Sequence, residues 1–430
     1  MKRLLTMAVL LLASAGFAQT TIGVNLELSG RFAPIGNTTL QGIETALLLS
    51  GAENIELSIC DNETTVEGSV ACANRFIDEG VTAVLGPIST TQALPAASTL
   101  QDAGIIMVTT SSTNPATTQV GDHIFRMAYT DDFQGSVAAN YALDELSAQN
   151  AIVFREQSDD YSFGLASSFI GAFEAGGGSV VTADYVKDTV DFTAQINDVL
   201  GIEADVIYIP GFCAEASSLV PSLRAAGFEQ QLLGGDGLDD SQCPDGGGEA
   251  FNGFIFTGFG GADVLEGEAA TRATDFESEF ILENPDYTDF NGFTLAGADS
   301  MNVMVEALNQ AGEGADDDAV LEALSNIEGY PGVSGEITYA GTDGTPADRT
   351  IAFFEYEVPA DNDQGWASNS LFGRQTGEAA AGETMDDEAM DDEAMDDEAM
   401  DDEAMDDETM EDEDMEDEDT EEEDTEDDSE

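Results

Sequence analysis

Basic residues are scarce in this chain. Its 430 residues include 11 Lys and Arg against 89 Asp and Glu, which gives a formal net charge of −78. A surface this negative repels nucleic acid and anionic lipid, so we expect neither as a partner. Between residues 19 and 376 there are still 56 acidic and 9 basic residues, about −47. We interpret this excess as adaptation to a saline environment, because the self-repulsion of such a surface is destabilising at low salt.

Residues and motifs that carry catalysis are also scarce. The one histidine, His123, lies in an apolar segment (HIFRMAY), which is typical of a structural residue. The chain contains no GxSxG elbow, GxGxxG turn, Walker loop or HExxH helix. Acidic residues are so numerous that no pair stands out as the carboxylates of a glycosidase. The sequence therefore favours a binding protein over an enzyme, and it indicates no catalytic residue, metal site or cofactor.

Cysteine is limited to four residues, Cys60, Cys72, Cys213 and Cys243, without the CxxC spacing that would favour zinc. An even number of cysteines in an exported chain predicts two disulfides. Of the three possible pairings, the one between sequence neighbours is favoured, namely Cys60 with Cys72 and Cys213 with Cys243. Four free buried thiols are the alternative.

Only one long apolar run is present, and it lies at the amino terminus. Residues 1–18 combine Lys2 and Arg3 with an apolar run at 4–13 and a small-residue ending, features of a secretory signal peptide cleaved before Gln19. No cysteine follows the cleavage site, which disfavours a lipid anchor. No later run approaches the roughly 18 apolar residues of a membrane span. We therefore expect a soluble mature chain that is periplasmic or secreted.

Between residues 20 and 259, apolar strand-like runs alternate with amphipathic stretches. The predicted strands are 22–28, 55–60, 83–85, 105–108, 152–154, 180–185, 206–209, 232–234 and 254–257. The predicted helices are 38–49, 66–79, 91–103, 134–147, 163–175, 192–200, 214–226 and, further along, 293–310. Alternation of this kind is typical of parallel sheets covered by helices on both faces.

Three segments interrupt this alternation, at 121–132, 258–263 and 339–348, and a strand at 350–356 follows the third. We interpret them as three crossovers between two lobes, with one continuous sheet as the alternative. The predicted N-terminal lobe comprises residues 20–130 and 261–340, and the predicted C-terminal lobe comprises residues 131–260 and 341–360.

The carboxyl-terminal segment has a different composition. Residues 377–430 carry an MDDEA repeat whose period of five fits neither a helix nor a heptad. Dense like charge opposes collapse, so we predict a disordered acidic tail. A solvated spacer is the favoured role, and weak binding of divalent cations is the alternative.

Hydroxyl-bearing residues follow two neighbouring predicted strands. Ser89, Thr90 and Thr91 follow strand 83–85, and residues 110–113 (TSST) follow strand 105–108. The carboxyl ends of successive parallel strands are neighbours, so these two loops should face each other. Together with the free N–H groups at the start of the next helix, they predict an uncharged pocket that suits a carboxylate. The alternative is that the hydroxyls serve only as caps and turns.

Several segments carry specific motifs: LSGRFAPIG at 28–36, ACANRFIDEGVTAVLGP at 71–87, GIIMVTTSSTNPATT at 104–118, DDFQG at 131–135 and LGGDG at 233–237. On these motifs the chain resembles the periplasmic Leu/Ile/Val-binding proteins that serve ABC transporters, over roughly residues 21–357. The resemblance implies a type I periplasmic binding protein fold of class α/β. In that fold two doubly wound parallel-sheet lobes are joined by a three-crossover hinge.

The resemblance also implies ligand contacts for individual residues. Thr90 and Thr113 would bind the ligand carboxylate, assisted by backbone groups near Ser111 and Ser112. Asp236, in the LGGDG segment, would meet the ligand ammonium group from the other lobe.

Aromatic residues complete the implied site. Tyr161 would close over the ligand from the second lobe. Phe212 stands where the family often has a tyrosine, and Ile35 stands where another tyrosine can line the pocket. A further aromatic contact is expected from Phe290 or its neighbours.

The function implied is that of a monomeric receptor for a small amino acid. It would bind a branched-chain or other aliphatic amino acid between its lobes and deliver it to the membrane permease of an ABC transporter. The alternative is a sensory module of the same fold that recognises an amide, urea or a related small solute.

Overall fold

The structure is a computed structural model that describes residues 19–240, 243–262, 264–285, 290–347, 349–358 and 368–376. The predicted signal peptide at 1–18 and the predicted acidic tail at 377–430 lie outside the described residues.

Strands and helices alternate along most of the described chain. The strands are β1 Thr20–Leu26, β2 Ile55–Asp61, β3 Ala83–Leu85, β4 Ile106–Thr109, β5 Ile124–Arg126, β6 Asn150–Glu156, β7 Ser179–Tyr185, β8 Val206–Ile209, β9 Gln231–Gly234, β10 Ile255–Gly258, β11 Tyr330–Gly332, β12 Gly335–Ile337, β13 Thr350–Glu357 and β14 Ser368–Thr376. The helices are α1 Ala33–Ser50, α2 Val66–Glu79, α3 Thr90–Ala103, α4 Asp131–Asn140, α5 Asp160–Ala175, α6 Thr193–Val199, α7 Cys213–Ala225, α8 Cys243–Gly247, α9 Gly267–Glu283, α10 Gly292–Ala311 and α11 Asp317–Ser325.

Two large sheets organise most of these elements, and β11 and β12 form a separate antiparallel pair. The first has the strand order β2-β1-β3-β4-β5 and is parallel throughout. The second has the order β14-β13-β10-β9-β8-β6-β7. Its β13 is antiparallel to both of its neighbours, β10 and β14, and its other described pairs are parallel. The predicted fold class is confirmed, and the alternative of one continuous sheet is wrong. The residue limits of the two lobes stay a prediction.

The helices that cover the first sheet come from two distant parts of the chain. Helix α10 packs along α1, and two glycines permit the close approach. A Cβ atom on Gly42 would collide with the carbonyl of Thr294, and one on Gly297 would collide with the carbonyl of Thr39. The segment that follows β10 therefore packs against the first helix, beside the first sheet. In the other lobe, α4 packs against α5 in the same way, with Gly135 meeting Ser168 at the contact.

Several predicted helices begin earlier than expected, and for two of them the reason is as follows. The helix predicted at 38–49 begins at Ala33, because Pro34 occupies the first turn, where its missing N–H group costs nothing. The helix predicted at 134–147 begins at Asp131, because the hydroxyl of Thr130 accepts a hydrogen bond from the N–H of Phe133 at 3.3 Å. Its last part is a π-helical turn, Tyr141–Glu145.

Both predicted disulfides are present. Cys60–Cys72 joins the end of β2 to α2, and Cys213–Cys243 joins the first residues of α7 and α8. The pairing between sequence neighbours is therefore confirmed, and the alternative of four free thiols is wrong. Among the described residues, no helix has the length and apolar character to cross a membrane.

Candidate functional site

A cavity lies between the carboxyl ends of the two sheets. It is lined by Phe32, Ile35, Ile88, Ser89, Thr90, Ser111, Tyr161, Phe212, Asp236, Gly237 and Phe293. Residues from both lobes contribute to this lining, as expected for an α/β fold whose ligands bind beyond the strand ends. The cavity brings together five of the residues predicted for the site: Thr90, Ser111, Tyr161, Phe212 and Asp236.

One side of the cavity carries hydroxyl groups. Ser89 is the N-cap of α3, and Thr90 is the first residue of that helix. The hydroxyl of Ser111 donates to the carbonyl of Ile88 at 3.2 Å, which joins the two hydroxyl loops. N–H groups in the first turn of a helix have no partner within the helix, and they favour an anion together with the helix dipole. This side of the cavity therefore suits a carboxylate.

Ser112 and Thr113 were also predicted for the site, but they are not among the residues that line the cavity. The Ser112 hydroxyl donates to Oγ1 of Thr90 at 3.1 Å and lies 2.8 Å from Oγ1 of Thr117. Thr113 is fully buried, and its carbonyl accepts from the N–H of Asp131 at 2.8 Å. Ser112 thus supports a cavity residue, and a direct ligand contact by Thr113 stays a prediction.

Arg126 holds the second hydroxyl loop in place. This buried side chain donates to the carbonyls of Ser112 at 3.0 Å and Asn114 at 2.8 Å. Burial lowers the pKa of Arg126 to about 10, against the opposing effect of nearby carboxylates such as Asp343. This role could not be predicted from the sequence, because an arginine that ends a three-residue strand gives no sign of which carbonyls it will contact.

Glu27 holds the first hydroxyl loop. Its carboxylate accepts from the backbone N–H groups of Ile88 at 3.1 Å and Ser89 at 3.2 Å. Burial raises the pKa of Glu27 to about 7, and these hydrogen bonds oppose the rise. Two backbone donors of this loop are therefore already used by the protein, which leaves the first turn of α3 as the donor group for a ligand.

Asp236 supplies the anionic side of the cavity. It lies two residues after the end of β9 and is 3% exposed. Its Oδ1 accepts from Nε2 of Gln134 at 2.7 Å and from the hydroxyl of Tyr161 at 2.8 Å. Burial raises the pKa of Asp236 to about 6, and those two hydrogen bonds oppose the rise. Because both bonds end on Oδ1, the second carboxylate oxygen has neither of these donors.

Tyr161 is fixed from two sides. Its hydroxyl donates to Asp236 and accepts from the backbone N–H of Gly237 at 3.0 Å. Gln134 was not predicted as part of the site, although it lies in the DDFQG motif. Besides Asp236, its Nε2 reaches Oγ1 of Thr257 at 3.0 Å, so it connects α4 with strand β10 and with the turn that follows β9.

Apolar side chains form the remaining wall. The ring centroids of Phe32 and Phe212 are 4.4 Å apart, and those of Tyr161 and Phe212 are 5.0 Å apart. Phe293, three residues after Phe290, also lines the cavity, and an aromatic contact with a ligand from this segment stays a prediction. Phe290 itself packs at 5.3 Å on Phe280, away from the cavity.

The described residues contain no group of His, Cys, Asp or Glu side chains arranged to hold a metal ion. The arrangement is instead that of a binding site for a small molecule. Hydroxyl groups from one lobe, a buried carboxylate from the other, and aromatic and aliphatic side chains line the same cavity.

Known proteins share this architecture. Leu/Ile/Val-binding protein homolog 3 of Brucella melitensis is 29% identical over 339 residues, which is 77% of this chain and 89% of that protein. A leucine-binding protein of Thermotoga maritima has a solved structure with a TM-score of 0.76 and 26% identity, covering 83% of this chain and 98% of that chain.

A more distant solved structure shows the fold alone. It is a solute-binding protein of an ABC transporter from R. palustris in complex with 4-hydroxybenzoate. It is 18% identical with a TM-score of 0.73, and the match covers 84% of this chain and 97% of that chain.

A family model described as periplasmic binding protein matches residues 19–364. Because that match covers most of the sequence, the chain belongs to the periplasmic binding protein family.

Proposed function

We propose that this chain binds a branched-chain or other aliphatic L-amino acid in the cavity between its lobes. The observation that carries the proposal is the polarity of the cavity. Hydroxyls of Ser89, Thr90 and Ser111 lie on the side of α3, and the buried carboxylate of Asp236 belongs to the opposite lobe. The α-carboxylate of a zwitterion would contact the first group, and its ammonium would contact the second.

Electrostatics support this orientation. A carboxylate is stabilised at a helix N-terminus by unpaired N–H groups and by the helix dipole. Asp236 is costly to ionise in its buried position, and an ammonium group in the cavity would offset that cost. The ligand side chain would then lie against Phe32, Phe212 and Phe293, where burial contributes roughly 25 cal/mol for each Å² of apolar surface.

The cellular role proposed here follows the relatives. A monomeric, exported chain would bind its amino acid in the periplasm and deliver it to the permease of an ABC transporter. Binding would be the whole of its activity, and no cofactor would be involved. The N-terminal and C-terminal lobes, with the limits predicted above, would be the two parts that close over the ligand.

Three ligands of one shape test the proposal by calorimetry. L-leucine carries both charges, 4-methylpentanoate lacks the ammonium group, and 3-methylbutylamine lacks the carboxylate. We expect leucine to bind and each of the other two to bind at least about tenfold more weakly, because a hydrogen bond to a charged group contributes roughly 1.5–3 kcal/mol. Equal affinity for leucine and 4-methylpentanoate would exclude Asp236 as the ammonium partner.

A thermal-shift panel then addresses the competing function. It should contain L-valine, L-isoleucine and L-alanine together with acetamide, urea and benzoate. An amino acid at about 100 times its Kd should add roughly 2.7 kcal/mol to the free energy of unfolding. A shift with acetamide or urea, and none with any amino acid, would favour the sensory alternative.

A further inference from the structure

Arg31 extends from one lobe into a group of carboxylates on the other. It lies between β1 and α1, directly before Phe32. Its Nη1 is 2.8 Å from Oε1 of Glu215 and 3.4 Å from Oε2 of Glu156, and its Nη2 is 3.6 Å from Oδ2 of Asp159. We call these four residues the Arg31 cluster. The arginine side chain is 11% exposed, so these pairs are largely removed from water.

The cluster borders the cavity. The Arg31 guanidinium lies over two rings of the cavity wall, 4.5 Å from the centroid of Phe32 and 5.0 Å from that of Phe212. A guanidinium in this position attracts the ring faces and restrains both side chains. Arg31, from the first lobe, thus contacts one aromatic ring of the cavity wall in each lobe. It also contacts three carboxylates of the second lobe.

The three carboxylates are positioned by hydrogen bonds within their own lobe. Glu215 accepts from the N–H of Asp188 at 3.2 Å, and Glu156 accepts from the hydroxyl of Ser158 at 3.2 Å. Asp159 is the N-cap of α5 and accepts from the N–H group two residues into that helix. These bonds do not involve Arg31. Asp159 also accepts from the hydroxyl of Thr91, in α3 of the first lobe, at 3.0 Å, and this second contact between the lobes would be lost with Arg31's own when they separate.

Separation of the lobes changes the surroundings of these charges. In the closed arrangement Glu156 is 0% exposed, and burial raises its pKa to about 7, although Arg31 opposes the rise. Without the guanidinium, three carboxylates would lie close together in a water-poor space. With the lobes apart, water would reach them. Loss of Arg31 therefore penalises the closed arrangement far more than it penalises folding.

We propose that Arg31 is a positioning residue that holds the two lobes closed and fixes Phe32 and Phe212 over the cavity. This inference rests on the proposed function, since closing matters only if the cavity binds a ligand. The contacts themselves are between protein groups and require no ligand atom. A closed population therefore exists before the amino acid is added, and Arg31 raises the affinity by slowing dissociation.

The test uses the full-length, oxidised chain with Arg31→Gln, which removes the charge. Arg31→Lys keeps the positive charge but lacks the planar guanidinium group, which can donate to several carboxylates at once. The matched control is Arg75→Gln, because Arg75 also lies over a ring, 4.8 Å from Phe76, and pairs at 3.2 Å with Glu79, but within one lobe. Urea unfolding shows that each variant is folded.

Closure of the two lobes is followed as the distance between two spin labels, measured by pulsed electron paramagnetic resonance. The labels are attached at two exposed positions, Asp78→Cys in α2 and Glu174→Cys in α5. Dissociation of L-leucine is measured by stopped flow. We expect Arg31→Gln to lower the closed population and to speed leucine dissociation, each by about tenfold or more. Arg31→Lys should give a smaller effect, and Arg75→Gln should give none.

Two results would overturn the inference. One is an Arg31→Gln chain whose label distances, without leucine, match those of the wild type. The other is a wild-type chain with no closed population. If leucine does not bind the wild-type chain, the proposed function fails, and the label distances without leucine still decide whether Arg31 holds the lobes together.

Discussion

Asp236→Asn should change stability and binding in opposite directions. Both hydrogen bonds that the residue accepts, from Gln134 and Tyr161, end on Oδ1. Asparagine keeps an oxygen at that position, so the hydrogen bonds survive and only the negative charge is lost. The substitution therefore tests the effect of the negative charge while the shape of the side chain stays nearly the same.

The stability effect follows from the pKa. Burial raises the pKa of Asp236 from 3.8 to about 6, so ionisation in the folded chain at pH 8 costs on the order of 3 kcal/mol. Since the folded pKa is the higher one, this cost is absent below about pH 3.8, grows as the pH rises from there to about 6, and is complete above that. Without ligand, Asp236→Asn should be more stable than wild type at pH 8, and the difference should shrink toward pH 5.

The binding effect has the other sign. If Asp236 meets the ligand ammonium group, loss of its charge weakens a hydrogen bond worth roughly 1.5–3 kcal/mol, which corresponds to a tenfold to hundredfold higher Kd for leucine. Calorimetry with L-leucine and urea unfolding at pH 8 and pH 5 measure the two effects. Asp102→Asn, on the surface of α3, is the matched control and should change neither.

Two results would refute this reasoning. Wild-type affinity for leucine in Asp236→Asn would mean that the ammonium partner lies elsewhere. Lower stability of the unliganded variant at pH 8 would mean that the charge is compensated inside the protein.

Further predictions concern pH, the disulfides and the tail. Leucine affinity should fall as the pH drops below about 6, because Asp236 then takes up a proton, and calorimetry should find this fall absent in Asp236→Asn. Without ligand, stability in urea should rise from pH 8 to pH 5, because burial raises the pKa of Glu27 and Glu156 to about 7 and protonation removes the cost of their charges. A fall over that range would contradict the assignment. Reduction of the disulfides, which span 12 and 30 residues, should lower the melting temperature in a calorimetric scan, since closing a loop of 15 residues contributes about 3 kcal/mol. An unchanged melting temperature would show that the bridges constrain little. Truncation after Thr376 should leave the Kd for leucine unchanged in titration calorimetry, and a tenfold change would show that the tail reaches the cavity.

Much of the fold could be predicted because local patterns determine it. The limits of β3, β8 and α2 match the predicted residues 83–85, 206–209 and 66–79. In these elements an apolar run or amphipathic stretch ends at a clear signal, such as the left-handed Gly80 after α2.

The elements that were missed lack such signals. Strand β5 is three residues long and ends in an arginine. Helix α9 buries only Ala273, Phe276 and Phe280 within a largely charged sequence, so its apolar stripe is narrow. The antiparallel edge of the second sheet depends on pairing between β10 and β13, which are almost a hundred residues apart.

The loops that form the candidate site could be predicted from the sequence, but not which of their side chains line the cavity and which lie behind it. Parallel strand order places the hydroxyl loops side by side, and this predicts Thr90 and Ser111. Strand order does not show that the Ser112 hydroxyl bonds to Thr90 and does not line the cavity.

Partners that are distant in sequence were also missed. Glu27 meets a backbone group 61 residues away, and Arg31 meets a carboxylate 184 residues away. Apolar lining residues such as Phe32 and Ile88 are indistinguishable in the sequence from residues of the core.

A crystal structure of the chain with L-leucine tests the central claim most directly. We expect leucine in the cavity between the lobes, with its carboxylate within hydrogen-bonding distance of Thr90 and Ser111 and its ammonium group against the carboxylate of Asp236. Leucine bound in the reverse orientation, or outside this cavity, would contradict it.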